Sequence, residues 1–234
     1  MHVPDGYLDA ATTAGTAAVA AAGVAIALRG ARRELDERTA PMAGLTAAFV
    51  FAVQMMNFPV AYGTSGHLIG GALTAVLVGP WTAVLCMTVV LLVQALVFAD
   101  GGLTALGTNV TLMALVAVAA GYGIFAGLRR VLPAGRTGVL TAAGLGAFLS
   151  VPAAALAFVL LFGAGGVADV PLGSVAAAMG AVHLLIGLGE AAITVAVLGA
   201  VLAVRPDLVR GARGLQVAPE LAPRPSAAQP LDLR

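Results

Sequence analysis

Residues 174–204 read SVAAAMGAVHLLIGLGEAAITVAVLGAVLAV, an apolar run in which His183 and Glu190 are the only ionisable side chains. About 20 apolar residues in a helix are enough to cross the hydrocarbon core of a bilayer. Similar runs recur along the whole chain of 234 residues, which is 60% hydrophobic and 10% charged. A soluble domain carries about 25% charged residues. The composition therefore predicts an all-α, polytopic membrane protein.

Seven stretches of the chain are predicted to be membrane spans, separated by polar or glycine-rich segments. They are residues 8–28, 42–60, 67–78, 82–98, 109–128, 138–162 and 174–204. The third is short and ends at Gly79-Pro80-Trp81, where the proline can stop one helix and start the next. We predict one integral membrane unit over residues 1–204. Residues 205–234 are predicted to be a disordered tail, because their second half is rich in Pro and Ala.

The arginines predict which side of the membrane each segment faces. The chain has 12 Lys+Arg and no lysine. With seven spans and the N-terminus outside, every arginine falls on one side, within residues 29–38, 129–136 and 205–234. The opposite side carries aspartates and no cation. Since Lys and Arg accumulate in cytoplasmic loops, we predict an outside N-terminus and a cytoplasmic tail in a multi-pass protein of the cell membrane. Six spans would place the basic tail on the wrong side.

The sequence lacks the motifs of the common enzyme classes. It contains no phosphate-binding glycine loop or Walker sequence, no HExxH motif, and no Ser/His/Asp set at a plausible spacing. The glycine-rich segment GAGGVADVPLG at 163–173 lies between two predicted spans and opens no dinucleotide-binding unit. Cys86 has no partner for a disulfide. We therefore expect no catalytic residue, no organic cofactor, no ATPase site and no nucleic-acid partner.

The first eight residues, MHVPDGYL, contain atoms that can chelate a metal ion. The amine of Met1 with the amide nitrogen and Nδ1 of His2 would close a five-membered and a six-membered ring. A fourth nitrogen from His67, at the outer end of the third predicted span, would complete a square, and such nitrogen sets suit Ni(II) or Cu(II). The alternative that the residues leave open is a His2 without function at a disordered terminus and a His67 that caps a helix.

The N-terminus is predicted to be retained and folded inward. Asp5 and Asp9 precede the first apolar run and no basic residue does, which is unlike a signal peptide. Met1 is then expected to keep a free amine. Pro4 fixes the backbone beyond the chelate, and Asp5-Gly6 provides a turn that can fold the terminus back into the bundle.

Four segments resemble the CbiM/NikM family, the substrate-binding S components of energy-coupling-factor (ECF) importers for cobalt and nickel. The segments are MHVPDGYL at 1–8, MNFPVAYGTSGHLIGGAL at 56–73, ALGTNVTLM at 105–113 and HLLIGLGEAAIT at 183–194. The resemblance implies a seven-helix bundle whose N-terminal segment inserts into an outward-facing pocket. It also implies that Met1, His2 and His67 bind Co²⁺ or Ni²⁺ as the transported substrate, with release on protonation as one hypothesis.

The same resemblance implies the partners of the chain. They are cytoplasmic ATPase subunits, a transmembrane coupling subunit and a small accessory membrane subunit, all within membrane lipid. Residues 205–234 are too few and too polar to contain the accessory subunit, which is therefore expected to be a separate chain.

Several polar residues of the predicted spans are candidates for supporting the metal site. Asn57, Asn109 and His183 are the candidates for orienting the imidazoles from a second layer. Ionisable groups within a span are costly and usually functional. His183 and Glu190 are seven residues apart and share a helix face. For this pair a hydrogen bond that locks the bundle is favoured over a role at the metal.

Two other functions compete with metal import. A secondary transporter for a small organic solute would show an inverted repeat and broken helices, and neither is evident in the sequence. A structural or assembly protein of the membrane would bind no metal and would tolerate the loss of His67.

Overall fold

The computed structural model describes residues 2–59 and 65–213, so Met1, residues 60–64 and residues 214–234 lie outside the described residues. The described part is built from helices. In chain order they are α1 (Ala10–Ala31), α2 (Thr39–Gln54), α3 (Gly71–Val78), α4 (Pro80–Val97), α5 (Leu106–Leu128), α6 (Arg136–Gly165) and α7 (Leu172–Val204). Within α5, the segment Val110–Val116 is π-helical. The all-α class is confirmed.

Five of these helices, α1, α4, α5, α6 and α7, are long and apolar enough to cross a membrane. The apolar helix α2 is shorter, with 16 residues, and α3 has eight, all of them buried. Each helix falls largely within one of the seven predicted stretches, but two boundaries were wrong. Helix α2 ends at Gln54 instead of residue 60, and α3 begins at Gly71 instead of residue 67.

The two wrong boundaries have one cause, a short antiparallel pair between α2 and α3. Strand β1 (Phe58–Pro59) pairs with β2 (Ser65–Gly66), with Phe58 opposite Gly66. Residues 55–60 are as apolar as a helix end, so hydropathy alone extends the helix into them. The strand pair is followed by residues 67–70, of which His67 and Ile69 are buried, before α3 begins.

The predicted break at the third stretch is present. Helix α3 ends at Val78 and α4 begins at Pro80, with Gly79 between them at φ +103°. A Cβ at Gly79 would lie 2.6 Å from Oε2 of Glu34. That carboxylate accepts a hydrogen bond of 2.7 Å from the backbone N–H of Thr82 in the first turn of α4. A glycine is therefore required both by the backbone angle and by the carboxylate that caps the helix.

Small residues allow the helices to approach closely, as expected where lipid gives no hydrophobic drive for helix association. A Cβ at Gly146 of α6 would lie 2.5 Å from the carbonyl oxygen of Gly121 in α5. A Cβ at Gly187 of α7 would lie 2.7 Å from the carbonyl oxygen of Phe148. These contacts pack α6 between α5 and α7.

The chain remains packed beyond residue 204, where the tail was predicted to begin. Pro206–Leu208 and Arg210–Ala212 form single 3₁₀ turns. Val209 and Ala212 are buried against the bundle. Disorder was predicted from composition, but residues 205–213 lack the Pro- and Ala-rich composition of the residues that follow them.

The N-terminal segment lies inside the same bundle. Val3, Tyr7 and Leu8 are buried, and the Tyr7 ring packs 5.9 Å from Phe158 and 5.5 Å from Phe162 of α6. A turn at Asp5-Gly6 reverses the backbone. Asp9 then caps α1, because its Oδ1 accepts a hydrogen bond of 2.7 Å from the backbone N–H of Thr12.

Candidate metal centre

Two segments outside the helices bring His2 and His67 together. The N-terminal segment carries His2, and the loop between β2 and α3 carries His67. The two imidazole rings lie with centroids 4.6 Å apart and planes tilted by 31°. Both residues are buried, with 5% and 0% of their surface exposed. The two histidines that the sequence pairs are therefore neighbours inside the protein.

Asn109 of α5 holds the backbone beside His2. Its Oδ1 accepts a hydrogen bond of 2.8 Å from the backbone N–H of Val3, and its Nδ2 donates one of 3.2 Å to the carbonyl of Val3. The backbone N–H of Gly102 donates to the same carbonyl at 3.0 Å. Asn109, a predicted support residue, thus acts on the backbone next to His2 and not on a ring.

The ring of His2 lies between an amide and a carboxylate. Its Nε2 is 3.2 Å from Oε1 of Gln94, and because that oxygen only accepts, Nε2 carries the proton. The other nitrogen, Nδ1, lies 3.2 Å from Oδ1 of Asp100 but outside hydrogen-bond geometry, and it has no hydrogen-bond partner. The free lone pair of His2 is therefore on Nδ1.

Asn57, the second predicted support residue, is connected to His2 through Asp100. Its Nδ2 donates a hydrogen bond of 2.9 Å to Oδ2 of Asp100. Asn57 is exposed, because α2 ends at Gln54 and Asn57 lies in the segment that follows. Gln94, which contacts the ring itself, is not among the support residues that the sequence predicts.

The loop of His67 is fixed by two helices. Glu190 of α7 accepts hydrogen bonds of 2.6 Å from the backbone N–H groups of Ile69 and Gly70. Gln54 of α2 donates a hydrogen bond of 2.6 Å to the carbonyl of Ile69. The sequence favours a hydrogen bond that locks the bundle for His183 and Glu190. Glu190 makes its hydrogen bonds to backbone amides, a contact between distant segments that no local pattern indicates.

The ring of His67 has a defined tautomer. Its Nδ1 lies 2.8 Å from the carbonyl oxygen of Leu68. Since a carbonyl only accepts, Nδ1 carries the proton and the lone pair is on Nε2. That Nε2 is buried and has no hydrogen-bond partner. Buried polar atoms are nearly always satisfied, so the unpaired nitrogens of His2 and His67 indicate a ligand.

His183, the third predicted support residue, is fully buried on α7. Its Nδ1 lies 2.8 Å from the carbonyl of Met179, one turn earlier in the helix, and its Nε2 is buried without a partner. Glu190, on the same face two turns later, is also buried. Glu190 contacts the loop of His67, whereas the hydrogen bond of His183 is made within its own helix.

A cavity of about 310 Å³ leads from the surface to His2. Its lining includes the carboxylates of Asp5 and Asp100 and no arginine. Gly101 covers the ring at φ +93°, where a Cβ would lie 2.9 Å from Cδ2 of His2. Burial lowers the pKa of His2 to about 4. The imidazole is therefore neutral near pH 7, as a metal ligand must be.

The ligand set predicted from the sequence includes Met1, which lies outside the described residues. Within residues 2–59 and 65–213, no three side chains of His, Cys, Asp or Glu form a cluster that could hold a metal ion. The predicted set differs from such clusters, because it takes two of its four nitrogens from the amine and amide of the main chain. The described residues bring together His2 and His67, the two side chains of that set.

Relatives that are named as metal transport proteins match the chain over most of its length. A putative metal transport protein of Haloquadratum walsbyi is 39% identical over 89% of this chain and 93% of the relative. The putative fused nickel transport protein NikMN of Archaeoglobus fulgidus is 40% identical over 89% of this chain and 68% of the relative. The cobalt transport protein CbiM of Sorangium cellulosum is 38% identical over 94% and 99%.

A solved structure and a family description agree with these relatives. The crystal structure of a transition metal transporter superposes with a TM-score of 0.79 and 32% identity, and covers 86% of this chain and 92% of that one. The CbiM family, described as the cobalt uptake substrate-specific transmembrane region, matches residues 2–208. The chain therefore belongs to the CbiM family of cobalt and nickel transport proteins of the membrane.

Proposed function

We propose that this chain is the metal-binding subunit of an ECF-type importer that takes up Co²⁺ or Ni²⁺ from outside the cell. The observation that carries the proposal is the pair of unpaired, buried nitrogens, Nδ1 of His2 and Nε2 of His67, on rings 4.6 Å apart. The lone pair of Nδ1 also faces the carboxylate of Asp100. A bound cation would relieve both features, because it accepts the lone pairs and attracts the carboxylate.

The proposed ligands are four nitrogens. The amine of Met1, the amide nitrogen and Nδ1 of His2, and Nε2 of His67 would bind the ion in a plane, as square-planar or tetragonal nitrogen sets do for Ni(II). Two conditions favour this set. The imidazoles are neutral, and a bound metal lowers the free-energy cost of deprotonating the amide next to it. Asn109 and Gln94 would hold His2 in place, and Glu190 would hold the loop of His67.

The proposed topology has seven spans, an outside N-terminus and a cytoplasmic C-terminus. Two groups of contacts support it. At one end, Arg210 donates to the carbonyl of Glu34 at 3.1 Å, and Arg213 lies 3.4 Å from Asp36, so two arginine-rich segments meet. At the other end, Asp5 accepts from Thr104 and the backbone of Asp9 bonds to Gly165. These contacts support an arrangement in which the arginine-rich segments lie together, and the positive-inside rule would make their end of the bundle cytoplasmic.

The proposed energy source is a set of partner subunits. The sequence has no Walker motif, so we infer that ATPase subunits and a transmembrane coupling subunit drive import. The relative from Archaeoglobus fulgidus is named as a fused protein, and this chain covers 68% of it. We infer that an accessory membrane component works with this chain. The names of the relatives give no support to a transporter of organic solutes.

A single added residue tests the proposed site. Purified native chain is compared with a variant that carries one extra alanine before Met1, which converts the Met1 amine into a peptide nitrogen. Binding of Ni(II) and Co(II) is followed by calorimetry and visible absorption. We expect tight binding and a square-planar nickel spectrum for the native chain and the loss of both for the variant. Equal binding by the two proteins would show that the site lies elsewhere.

A further inference from the structure

Three buried imidazoles in this protein have the same electronic arrangement. In His2, His67 and His183, one ring nitrogen faces an oxygen that only accepts, from Gln94, Leu68 and Met179 respectively. That nitrogen carries the proton, and the other nitrogen keeps its lone pair. All three lone-pair nitrogens are buried and without a hydrogen-bond partner. The proposed chelate uses two of them and leaves Nε2 of His183 without a role.

Contacts with α7 set the loop of His67 against the helix that carries His183. Glu190 binds the amides of Ile69 and Gly70, two and three residues after His67. His183 precedes Glu190 by seven residues, which is about 10.5 Å of helix. Strand β2, which leads into His67, also contacts α7. The segments before and after His67 therefore both pack against α7, and the contact with Glu190 lies about two helical turns from His183.

Both imidazoles are shielded from water. His67 and His183 have 0% of their surface exposed, and burial is the largest cause that lowers the pKa of His67 well below the ordinary value. Neutral imidazoles with unused lone pairs are common ligands of first-row divalent metals.

We propose that Nε2 of His67 and Nε2 of His183 form an inner binding position for Co²⁺ or Ni²⁺, separate from the terminal chelate. It rests on the proposed function, because His67 is a ligand in both positions. When the Met1 and His2 nitrogens release the ion, His67 retains it and His183 replaces one of the lost donors. The ion thereby moves to the side of α7 by exchange of ligands, and His2 and the N-terminal segment become free of it.

The experiment uses Co(II) alone and the purified full chain with the extra alanine before Met1, in which the terminal chelate is displaced. We expect this variant to retain a weaker site with a cobalt spectrum of nitrogen ligands. Adding His183→Leu should lower the cobalt affinity of that residual site by more than about 100-fold. Losing a residue that only orients a ligand costs about 10–100-fold, so the larger loss would identify His183 as a ligand. Thr194→Val, which changes another buried polar residue of α7, should leave the residual site unchanged.

A second variant tests the same position by the appearance of an absorption band, which a badly folded protein would not produce. His183→Cys in the extended chain should add a cobalt–thiolate charge-transfer band, and Thr194→Cys should not. If the native chain binds no metal, the proposed function fails. If it binds but the extended chain has no site that depends on His183, the inner position alone is overturned.

Discussion

Oε2 of Glu190 lies 2.6 Å from the backbone nitrogen of Ile69, so a carboxylate of α7 fixes the main chain two residues after His67. Its other oxygen accepts from Gly70 at the same distance. Hydrogen bonds to a buried carboxylate are short and strong, and each unmade one leaves a buried group unsatisfied. Glu190 is therefore a positioning residue for His67 that acts through the backbone.

Replacing the carboxylate with an amide should weaken metal binding. Glu190→Gln keeps the volume but turns one acceptor into a donor that faces a backbone N–H. We expect a loss of stability of about 1–3 kcal/mol and a loss of metal affinity of about 10–100-fold, measured by thermal unfolding and by cobalt titration. Thr194→Val is the control for a buried polar change on the same helix. An unchanged affinity in a destabilised Glu190→Gln protein would limit Glu190 to a role in folding.

Asn109 should matter for metal binding although it touches no ring. Asn109→Ala removes both of its hydrogen bonds to Val3, so the backbone next to His2 loses two of the bonds that hold it. We expect a loss of nickel affinity of about 10–100-fold, measured by calorimetry. Asn57→Ala, at an exposed position that reaches His2 only through Asp100, serves as the comparison and should have the smaller effect. A larger loss of nickel affinity in Asn57→Ala than in Asn109→Ala would show that Asp100 positions His2 more firmly than the backbone does.

Gly101 should not tolerate a side chain. Its φ of +93° and the 2.9 Å between a Cβ and Cδ2 of His2 both oppose Gly101→Ala, and such backbone strain costs about 1–3 kcal/mol. Gly123→Ala is the matched control, because a Cβ there meets nothing within 4 Å and α5 gains helix propensity. Thermal unfolding and nickel titration of both variants should show a defect for position 101 only. A metal affinity unaffected by Gly101→Ala would mean that residues 99–102 do not shape the site.

Local patterns were sufficient to predict the helices and to pair His2 with His67, but not to predict the contacts that hold these two residues in place. Apolar runs predict helices because hydropathy is local, and the break at Gly79-Pro80 follows from proline itself. The end of α2 at Gln54 could not be predicted, because residues 55–60 are apolar whether they continue a helix or pair as a strand. The bonds from Glu190 to Ile69 and from Asn109 to Val3 join segments about 100 residues apart. Such partners depend on tertiary packing.

Metal binding should release about two protons near pH 7. Burial lowers the pKa of His2 to about 4, so its ring is already neutral and gives up none. An α-amine has an ordinary pKa of about 8, so the Met1 amine gives up nearly one proton. A metal-bound amide gives up another. Because protons are products, affinity should rise as the pH rises from about 6 to 8, and a fall in pH should favour release.

Calorimetry in buffers of different ionisation enthalpy measures this number directly. We expect about two protons per Ni(II) for the native chain, since both the amine and the amide must lose a proton to bind. The chain with an extra alanine before Met1 is the control, and any binding that it retains through imidazoles alone should release almost none, because neutral rings have none to lose. If the native chain also released almost none, the main-chain nitrogens would not be ligands, and the site would consist of imidazoles only.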